Sequence, residues 1–262
     1  MDSPPTLSVG YTVGLGLDFE TSVAFAAREG FAFVEILLDG PYARHRIESH
    51  ADAMRETLEA HGVDCAVHLP FAVAVGSPFE SVREGVVREF VAGMDLAVDL
   101  GADRVVFHPD SDAWERGWTE AETREFVHAG LDELVPAARE RGLTPCVENI
   151  VNGYYDVHGF PDLLERYPEM AMTFDTSHAL LAGMDEAEMA AFCREWTDRI
   201  AHLHLVDTRS GDEHLPVGMG RIDFATVFEG LAGWKGTATL EVGTHDYDTI
   251  ALGKRHVDEL VG

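Results

Sequence analysis

Residues Glu120–Asn149 read EAETREFVHAGLDELVPAARERGLTPCVEN. Apolar residues recur at helical spacing from Glu120 to Arg141, and Gly142 stops the helix. Thr144–Glu148 is then a short apolar run of strand character that ends on a carboxylate, Glu148. The same unit recurs along the chain. Apolar runs at Leu7–Val13, Ala32–Leu38, Asp64–Leu69, Arg104–His108, Thr144–Glu148, Ala171–Asp175, Ile200–Val206 and Thr237–Val242 alternate with helical patterns. Those patterns cover Phe19–Arg28, Ser49–Ala60, Ser81–Leu100, Glu120–Arg141, Pro161–Arg166, Glu186–Trp196, Phe224–Leu231 and Thr249–Leu260, with further glycine stops at Gly30, Gly62 and Gly101. Eight strand–helix units in 262 residues predict a closed parallel (β/α)8 barrel, a single domain over 1–262. An open doubly wound sheet is the alternative. The count of eight favours the barrel, and Gly14-Leu15-Gly16 is only a fragment of a dinucleotide-binding glycine loop.

A parallel barrel carries its chemistry at the C-terminal ends of its strands. Here those ends read Val67-His68-Leu69-Pro70, Phe107-His108-Pro109-Asp110, Val147-Glu148-Asn149, Phe174-Asp175-Thr176-Ser177-His178, His202-Leu203-His204-Leu205-Val206-Asp207 and Leu240-Glu241-Val242. Six successive ends each offer a histidine or a carboxylate, residues that buried positions otherwise avoid. Singly, any of them can cap a strand or join a hydrogen-bonded network. Together they form the donor set of a divalent cation such as Zn, Mn, Co or Mg, with no thiolate required. Without a cation, so many adjacent acids cannot all ionise. His202 and His204 are two apart and share a side of their strand. His204, nearer the strand end, is the candidate ligand, and His202 the inner-layer residue beneath it. Cys146 has the parity of Glu148 and is expected to fill a layer below it, whereas Cys65 is expected to face the helices. Past the seventh strand, DEHLPVGMGRIDF at 212–224 brings Asp212 and His214 over the mouth or is a plain solvated loop. In it Gly218 and Gly220 serve loop geometry, and Asp223 caps the next helix. His45, His50, His61, His128, His158, His245 and His256 are expected on the surface.

Composition removes several function classes. Acidic residues outnumber basic ones 47 to 19, for a formal charge of -28. Two of the basic residues are lysines, Lys235 and Lys254. Nothing here suggests the basic face of a nucleic-acid binder. So much acid suits a surface adapted to high salt, and an ordinary acidic cytosolic protein is the alternative. Three cysteines are too few for a disulfide framework or a thiolate cage. The N-terminus lacks a signal pattern, and no apolar run approaches the ~20 residues that span a bilayer. A soluble cytoplasmic protein with no membrane partner is expected.

Taken in order, these residues resemble the xylose isomerase-like barrel superfamily, which includes sugar and sugar-phosphate isomerases and epimerases and the endonuclease IV-like enzymes (AP endonuclease family 2). The match runs through residues 64–242. Its most specific parts are His108-Pro109, Glu148-Asn149, Asp175-x-x-His178, His204-x-x-Asp207 and the stretch from Asp212-x-His214 to Gly-x-Gly-x-Ile-Asp-Phe. In the epimerase branch the resemblance implies one metal held by Glu148, Asp175, His204 and Glu241. Glu148 and Glu241 then act as the acid/base pair and His178 contacts the substrate, which isomerises or epimerises through an enediolate. In the endonuclease branch it implies up to three zincs. Glu148 bridges, with His68 and His108 on one metal, Asp175, His204 and Glu241 on the second, and His178, Asp212 and His214 on the third. Against DNA stand Ile150-Val151-Asn152-Gly153 in place of a glycine-rich run, a first strand without the expected histidine, and few arginines for phosphates. A non-catalytic, metal-bound sugar-binding protein is a third reading. The expected substrate contacts are Arg209, Phe71, Trp114 and Asn149. Arg44, Arg46, Arg116 and Arg221 are further mouth-loop cations, and Trp118, Tyr154 and Tyr155 further mouth aromatics. The expected partner is a small sugar or sugar phosphate, with DNA second. Barrels of this group are often dimers or tetramers.

Overall fold

Eight parallel strands close on themselves in the order β1-β10-β7-β6-β5-β4-β3-β2. They are β1 (Thr6–Val13), β2 (Phe33–Leu37), β3 (Asp64–His68), β4 (Arg104–Phe107), β5 (Thr144–Glu148), β6 (Ala171–Asp175), β7 (Ile200–His204) and β10 (Lys235–Leu240). The barrel predicted from the eight-fold alternation is therefore the observed fold. The structure is a computed structural model that describes every residue except Met1, Asp2, Leu15, Asn152, Ser210 and Gly211, and the side chains of Asp212 and Glu213. Helices α1 (Phe19–Glu29), α2 (Arg44–Ile47), α3 (Ala51–His61), α4 (Glu80–Leu100), α5 (Glu120–Glu140), α6 (Phe160–Arg166), α7 (Thr176–Leu181), α8 (Glu186–Glu195), α9 (Phe224–Glu229) and α10 (Tyr247–Val261) connect the strands. The apolar core lies between the barrel and these helices, with Val34, Ile36, Val67, Leu131, Phe160, Met172 and Phe174 buried in it.

Local chemistry sets the boundaries. Gly30, Gly62, Gly101 and Gly142 all have left-handed backbone, so each ends its helix where the sequence places a stop. A capping box between Thr119 and Glu122 starts α5. Helices α2 and α7 and the strands β8 and β9 escaped the periodicity. Helix α7 begins directly out of β6, because Asp175 ends the strand and caps the helix, accepting from the His178 N–H at 2.6 Å. After β7 the chain folds into an antiparallel hairpin, β8 (Asp207–Arg209) and β9 (Asp212–Leu215), instead of continuing the strand to Val206.

Strand pairing stacks the inward-facing residues in layers. Leu37 pairs with His68, Glu148 with Thr173, Asp175 with His204 and Thr239 with His204. Cys146 is fully buried beneath Glu148, and Cys65 joins the core between barrel and helices. Among the described residues no helix is long and apolar enough to cross a membrane.

Candidate metal centre

Four strand ends bring Glu148 (β5), Asp175 (β6), His204 (β7) and Glu241 (after β10) together, each with a ligating atom within 4.8 Å of the others. His204 Nδ1 lies 3.2 Å from both Glu148 Oε2 and Glu241 Oε2. A second group shares Glu148: His68 Nε2 and His108 Nε2 stand 3.4 and 3.3 Å from its Oε2. Both Glu148 oxygens, Asp175 Oδ2 and both His204 nitrogens are buried without a hydrogen-bond partner. Buried polar atoms are rarely left so, because the desolvation they suffer is uncompensated. One divalent cation would satisfy the Glu148 and Asp175 oxygens and His204 Nδ1 together, with His204 Nε2 facing Glu35 instead, so the donor set is compatible with a metal of the Zn, Mn, Co or Mg kind.

The histidines are oriented for this by their backbone contacts. His68 Nδ1 sits 2.7 Å from the Leu69 carbonyl, and His178 Nδ1 sits 2.9 Å from that of Asn149. A carbonyl only accepts, so each Nδ1 carries a proton, and it is Nε2 that would offer the lone pair once the ring is neutral. Asp175 is divided in the same way. Its Oδ1 accepts from the His178 N–H and the Ser177 hydroxyl, which leaves Oδ2 for the cage.

In the metal-free chain the charges compensate one another. Burial opposes ionisation of Glu148, but His204, His108 and His178 outweigh it and hold the carboxyl well below its usual range. Burial likewise opposes Glu241, and chiefly His204 brings it down to about 2. Asp175 is pushed up, first by burial, with Glu148 adding to it. Burial would lower His178, yet Asp175 and Glu148 carry it up to about 10. The ring of His204 is raised well above 6.5, as Glu148, Glu35 and Glu241 overcome its burial. His178 and His204 are thus biased toward the protonated form, and Glu148 and Glu241 toward the ionised one.

Above the cage opens a cavity of about 340 Å³, lined by Thr12, Leu37, His68, Phe71, His108, Glu148, His178, His214, Glu241 and Val242 among others. Its size is that of a small-molecule site. Among the described residues no lysine or arginine lines it.

The sequence matches the xylose isomerase-like TIM barrel family over residues 23–259. This chain belongs to that family. Curated relatives include the uncharacterized protein MJ1188 of Methanocaldococcus jannaschii, 28% identical over 76% of this chain and 73% of that protein. Another is a probable endonuclease 4 of Mycobacterium marinum, 25% identical over 80% of this chain and 84% of its own length. Among solved structures, a D-tagatose 3-epimerase-like protein superposes with a TM-score of 0.83 at 24% identity, over 97% of each chain. D-allulose 3-epimerase from Methylomonas sp. superposes with 0.80 at 18% identity, over 99% of this chain and 100% of that one. One of these neighbours is named a sugar epimerase and the other epimerase-like, and at such identities the likeness is one of fold.

In this xylose isomerase-like barrel the loop after β7 has an anchor. Asp207, almost fully buried, accepts four backbone N–H bonds: Thr208 and Ile222 on Oδ1 at 2.9 and 3.0 Å, Gly218 and Gly220 on Oδ2 at 3.1 and 2.7 Å. A Cβ on Gly220 would lie 2.1 Å from Asp207 Oδ1, so only glycine fits there. The anchored loop carries His214, whose left-handed φ of 59° is the one such case at a described non-glycine residue. Such backbone in a non-glycine residue is sparsely populated. His214 Nε2 lies 3.7 Å from Glu241 Oε2, and its ring centroid is 6.3 Å from that of His178. The side chain of Asp212, the expected third member of that group, lies outside the described residues.

The expected substrate contacts separate. Phe71 lines the cavity and is half exposed. Trp114 is exposed and stands apart from the lining, as does Arg209 on β8. Asn149 is buried, and both ends of its amide are used: Nδ2 donates to the Asp175 carbonyl at 3.1 Å, and Oδ1 accepts from the Asp175 N–H at 2.8 Å. It ties β5 to β6 beside the cage. Arg44 is paired with Glu89 and Glu48. Tyr155 is buried, its hydroxyl 2.6 Å from His128 Nε2, so neither that tyrosine nor that histidine is a surface residue. His256 is also packed in, 2.8 Å from the Val217 carbonyl.

Sequence reasoning missed Glu35. It is fully buried on β2, with Oε1 3.1 Å from His204 Nε2 and Oε2 3.0 Å from His202 Nε2. The signal was there: a lone acid inside the apolar run Phe33-Val34-Glu35-Ile36-Leu37. On a buried strand such a residue needs a partner.

Proposed function

We propose that this protein is a divalent-metal-dependent isomerase or epimerase of a small, unphosphorylated sugar. The observation that carries the reading is that Glu148 and Glu241 belong to the four-residue cage and also line the cavity above it. Glu148, Asp175, His204 and Glu241 would hold a divalent cation, which would polarise a substrate carbonyl and its neighbouring hydroxyl and so acidify the C–H of the hydroxyl-bearing carbon. Glu148 and Glu241 are separated around the barrel by β6 and β7. Both carboxyls are held in the ionised form, ready to accept a proton. One takes the proton from carbon to give an enediolate; the same carboxyl can return that proton to the neighbouring carbon, and return to the opposite face uses the other carboxyl after it has taken a proton from a substrate hydroxyl or from solvent. His178, fixed by the Asn149 carbonyl, is placed to contact a substrate oxygen. Leu37, Phe71 and Val242 supply apolar walls that exclude water from the reacting carbons. A phosphate calls for an arginine or lysine, and among the described residues none lines the cavity, which favours an uncharged sugar.

The His68–His108–Glu148 group supports a second reading. Two adjoining ligand sets sharing one carboxylate suit clustered metals and phosphodiester hydrolysis, and the Mycobacterium marinum relative is named a probable endonuclease 4. The formal charge of -28 and the absence of lysine and arginine from the lining weigh against a DNA ligand.

The test is solvent exchange. Protein purified without chelator, its metal content measured, is incubated in D2O with unphosphorylated ketoses and aldoses and with their phosphates, at low and high salt. Deuterium entering the carbon next to the carbonyl of an unphosphorylated sugar, and lost in Glu148→Gln and Glu241→Gln, is the expected result. About three zincs per chain with cleavage of an abasic oligonucleotide would replace the reading with the second one. Ligand-induced stabilisation with no exchange and no cleavage would leave a binding protein.

A further inference from the structure

Beneath the cage, a line of buried polar groups runs through the barrel to its opposite face. Glu35 Oε2 accepts from the Thr239 hydroxyl at 3.0 Å and lies 3.0 Å from His202 Nε2. On its other nitrogen, His202 Nδ1 is 2.6 Å from the Thr237 hydroxyl, which in turn accepts from Arg104 Nη1. Glu35 Oε1 is buried without a hydrogen-bond partner and faces His204 Nε2. Arg104 is held by both oxygens of Asp103 at 2.8 Å. With Thr237 it lines two openings at the N-terminal ends of the strands, of about 770 and 330 Å³. Glu35, His202 and Thr239 are fully buried, and nothing in the proposed chemistry uses them.

We propose that Arg104, Thr237, His202 and Glu35 form a hydrogen-bond column of fixed polarity that positions His204 as a metal ligand. Its direction follows from its two ends. A guanidinium only donates, and an ionised carboxylate only accepts. Glu35 Oε2 can only accept from His202 Nε2, so Nδ1 is left to accept the Thr237 hydroxyl proton at 2.6 Å, nearer than the Ala201 carbonyl at 3.4 Å, while that hydroxyl oxygen accepts from Arg104 Nη1. His202 then bears its proton on Nε2 and donates it to Glu35 Oε2. With Oε2 shared between His202 and Thr239, the remaining Oε1, 3.1 Å from His204 Nε2, is the charge that keeps a proton on that nitrogen. That leaves His204 Nδ1, the nitrogen beside Glu148 and Glu241, as the lone pair for the cation. A carboxylate behind a ligating imidazole fixes its tautomer and ring orientation. Here the fixing reaches the far face of the barrel, so Glu35 and Arg104 are positioning residues.

This inference rests on the metal reading of the cage but not on any catalysed reaction. The experiment has two independent readouts on the full chain: the tautomer of His202 by 15N–1H correlation in histidine-labelled, metal-free protein, and the affinity for Co(II) alone, followed by its visible bands. The wild type is expected to show His202 as the Nε2–H tautomer. Arg104→Met is expected to shift it toward Nδ1–H and weaken Co(II) binding a few-fold, with Arg104→Lys restoring both. Glu35→Gln is expected to weaken Co(II) binding about 10- to 100-fold. An Nδ1–H tautomer in the wild type, or one unchanged in Arg104→Met, would overturn the column. So would a second cobalt equivalent lost in Glu35→Gln with the first intact, since Glu35, His202 and His204 would then be holding an ion of their own. Co(II) binding that His204→Ala leaves unaltered would instead remove the metal reading of the cage, while the His202 tautomer still decides the column.

Discussion

Two buried carboxylates at neighbouring strand ends have opposite fates. Asp207 receives four backbone N–H bonds and has nothing left to give. Asp175, with one oxygen spent on Ser177 and the His178 N–H, keeps the other buried and unpartnered, beside a Glu148 with two such oxygens. Both belong to the same Asp/His-rich pattern in the sequence. The difference is one of coordination: a saturated carboxylate holds a loop, and an unsaturated one holds a place for a cation. Exchanging their environments by mutation is the sharpest way to test the distinction.

The largest effect is expected in the cage. Glu148→Gln and Glu241→Gln keep side-chain volume but remove a ligand charge and a proton acceptor. The rate of solvent exchange into substrate should fall about 10²- to 10⁴-fold, and retained metal should fall with it, while the thermal midpoint of the metal-free protein changes less than for any Asp207 variant. Elemental analysis and differential scanning calorimetry on the same preparations check both halves. Full exchange activity in both variants would refute the role of the pair.

Asp207→Ala should do the converse. Four N–H groups lose their acceptor in a buried loop, at a cost of about 3 kcal/mol, and urea unfolding should show it. Cobalt binding by the four strand-end ligands should persist, because none of them is on that loop. Gly220→Ala presses a methyl group against the Asp207 carboxylate and should cost about 1–3 kcal/mol by the same assay. If Asp207→Ala lost its metal without losing stability, the contrast between the two carboxylates would be wrong.

Acidity separates the two regions in another way. In the metal-free chain His204 is raised well above 6.5, because Glu148, Glu35 and Glu241 outweigh its burial. Below that raised value the ring is protonated, and its proton must leave before Nδ1 can ligate. The apparent metal affinity should therefore rise with pH, about tenfold per unit for each proton displaced, and level off once the ring is neutral. Titration calorimetry in buffers of different ionisation enthalpy counts the protons. A pH-independent affinity would mean that His204 is not a ligand.

The barrel was legible because its signals are periodic: eight short apolar runs, with glycine at the ends of four helices. The cage was legible because strand parity puts His204 and Glu148 on the inner side, and because a parallel barrel places its chemistry at one end. Other features were hidden for identifiable reasons. Helix α7 follows Asp175 with no linker, so one residue serves as strand end, cap and candidate ligand. Asp207 and Asp175 differ in the direction of backbone N–H groups up to fifteen residues away, which no local pattern records. Asn149 reads as a mouth residue by position, yet its amide is fully used between two strands. Glu35 was passed over as part of an apolar run, although the burial that makes the run a strand is what makes a lone acid there significant.

The smallest effect concerns the cavity wall. Phe71 stands half exposed at the rim and has no part in the cage or the Asp207 loop. Its ring can contact an apolar face of a bound sugar, but it carries no charge and moves no proton. If Glu148 and Glu241 do the chemistry and Phe71 only contributes binding, Phe71→Ala should raise KM a few-fold and leave kcat nearly unchanged, the pattern of a contact made equally in ground and transition states. A fall in kcat with KM constant would mean that the rim is reorganised during the reaction. The apolar wall would then belong with the cage rather than with the passive surface around it.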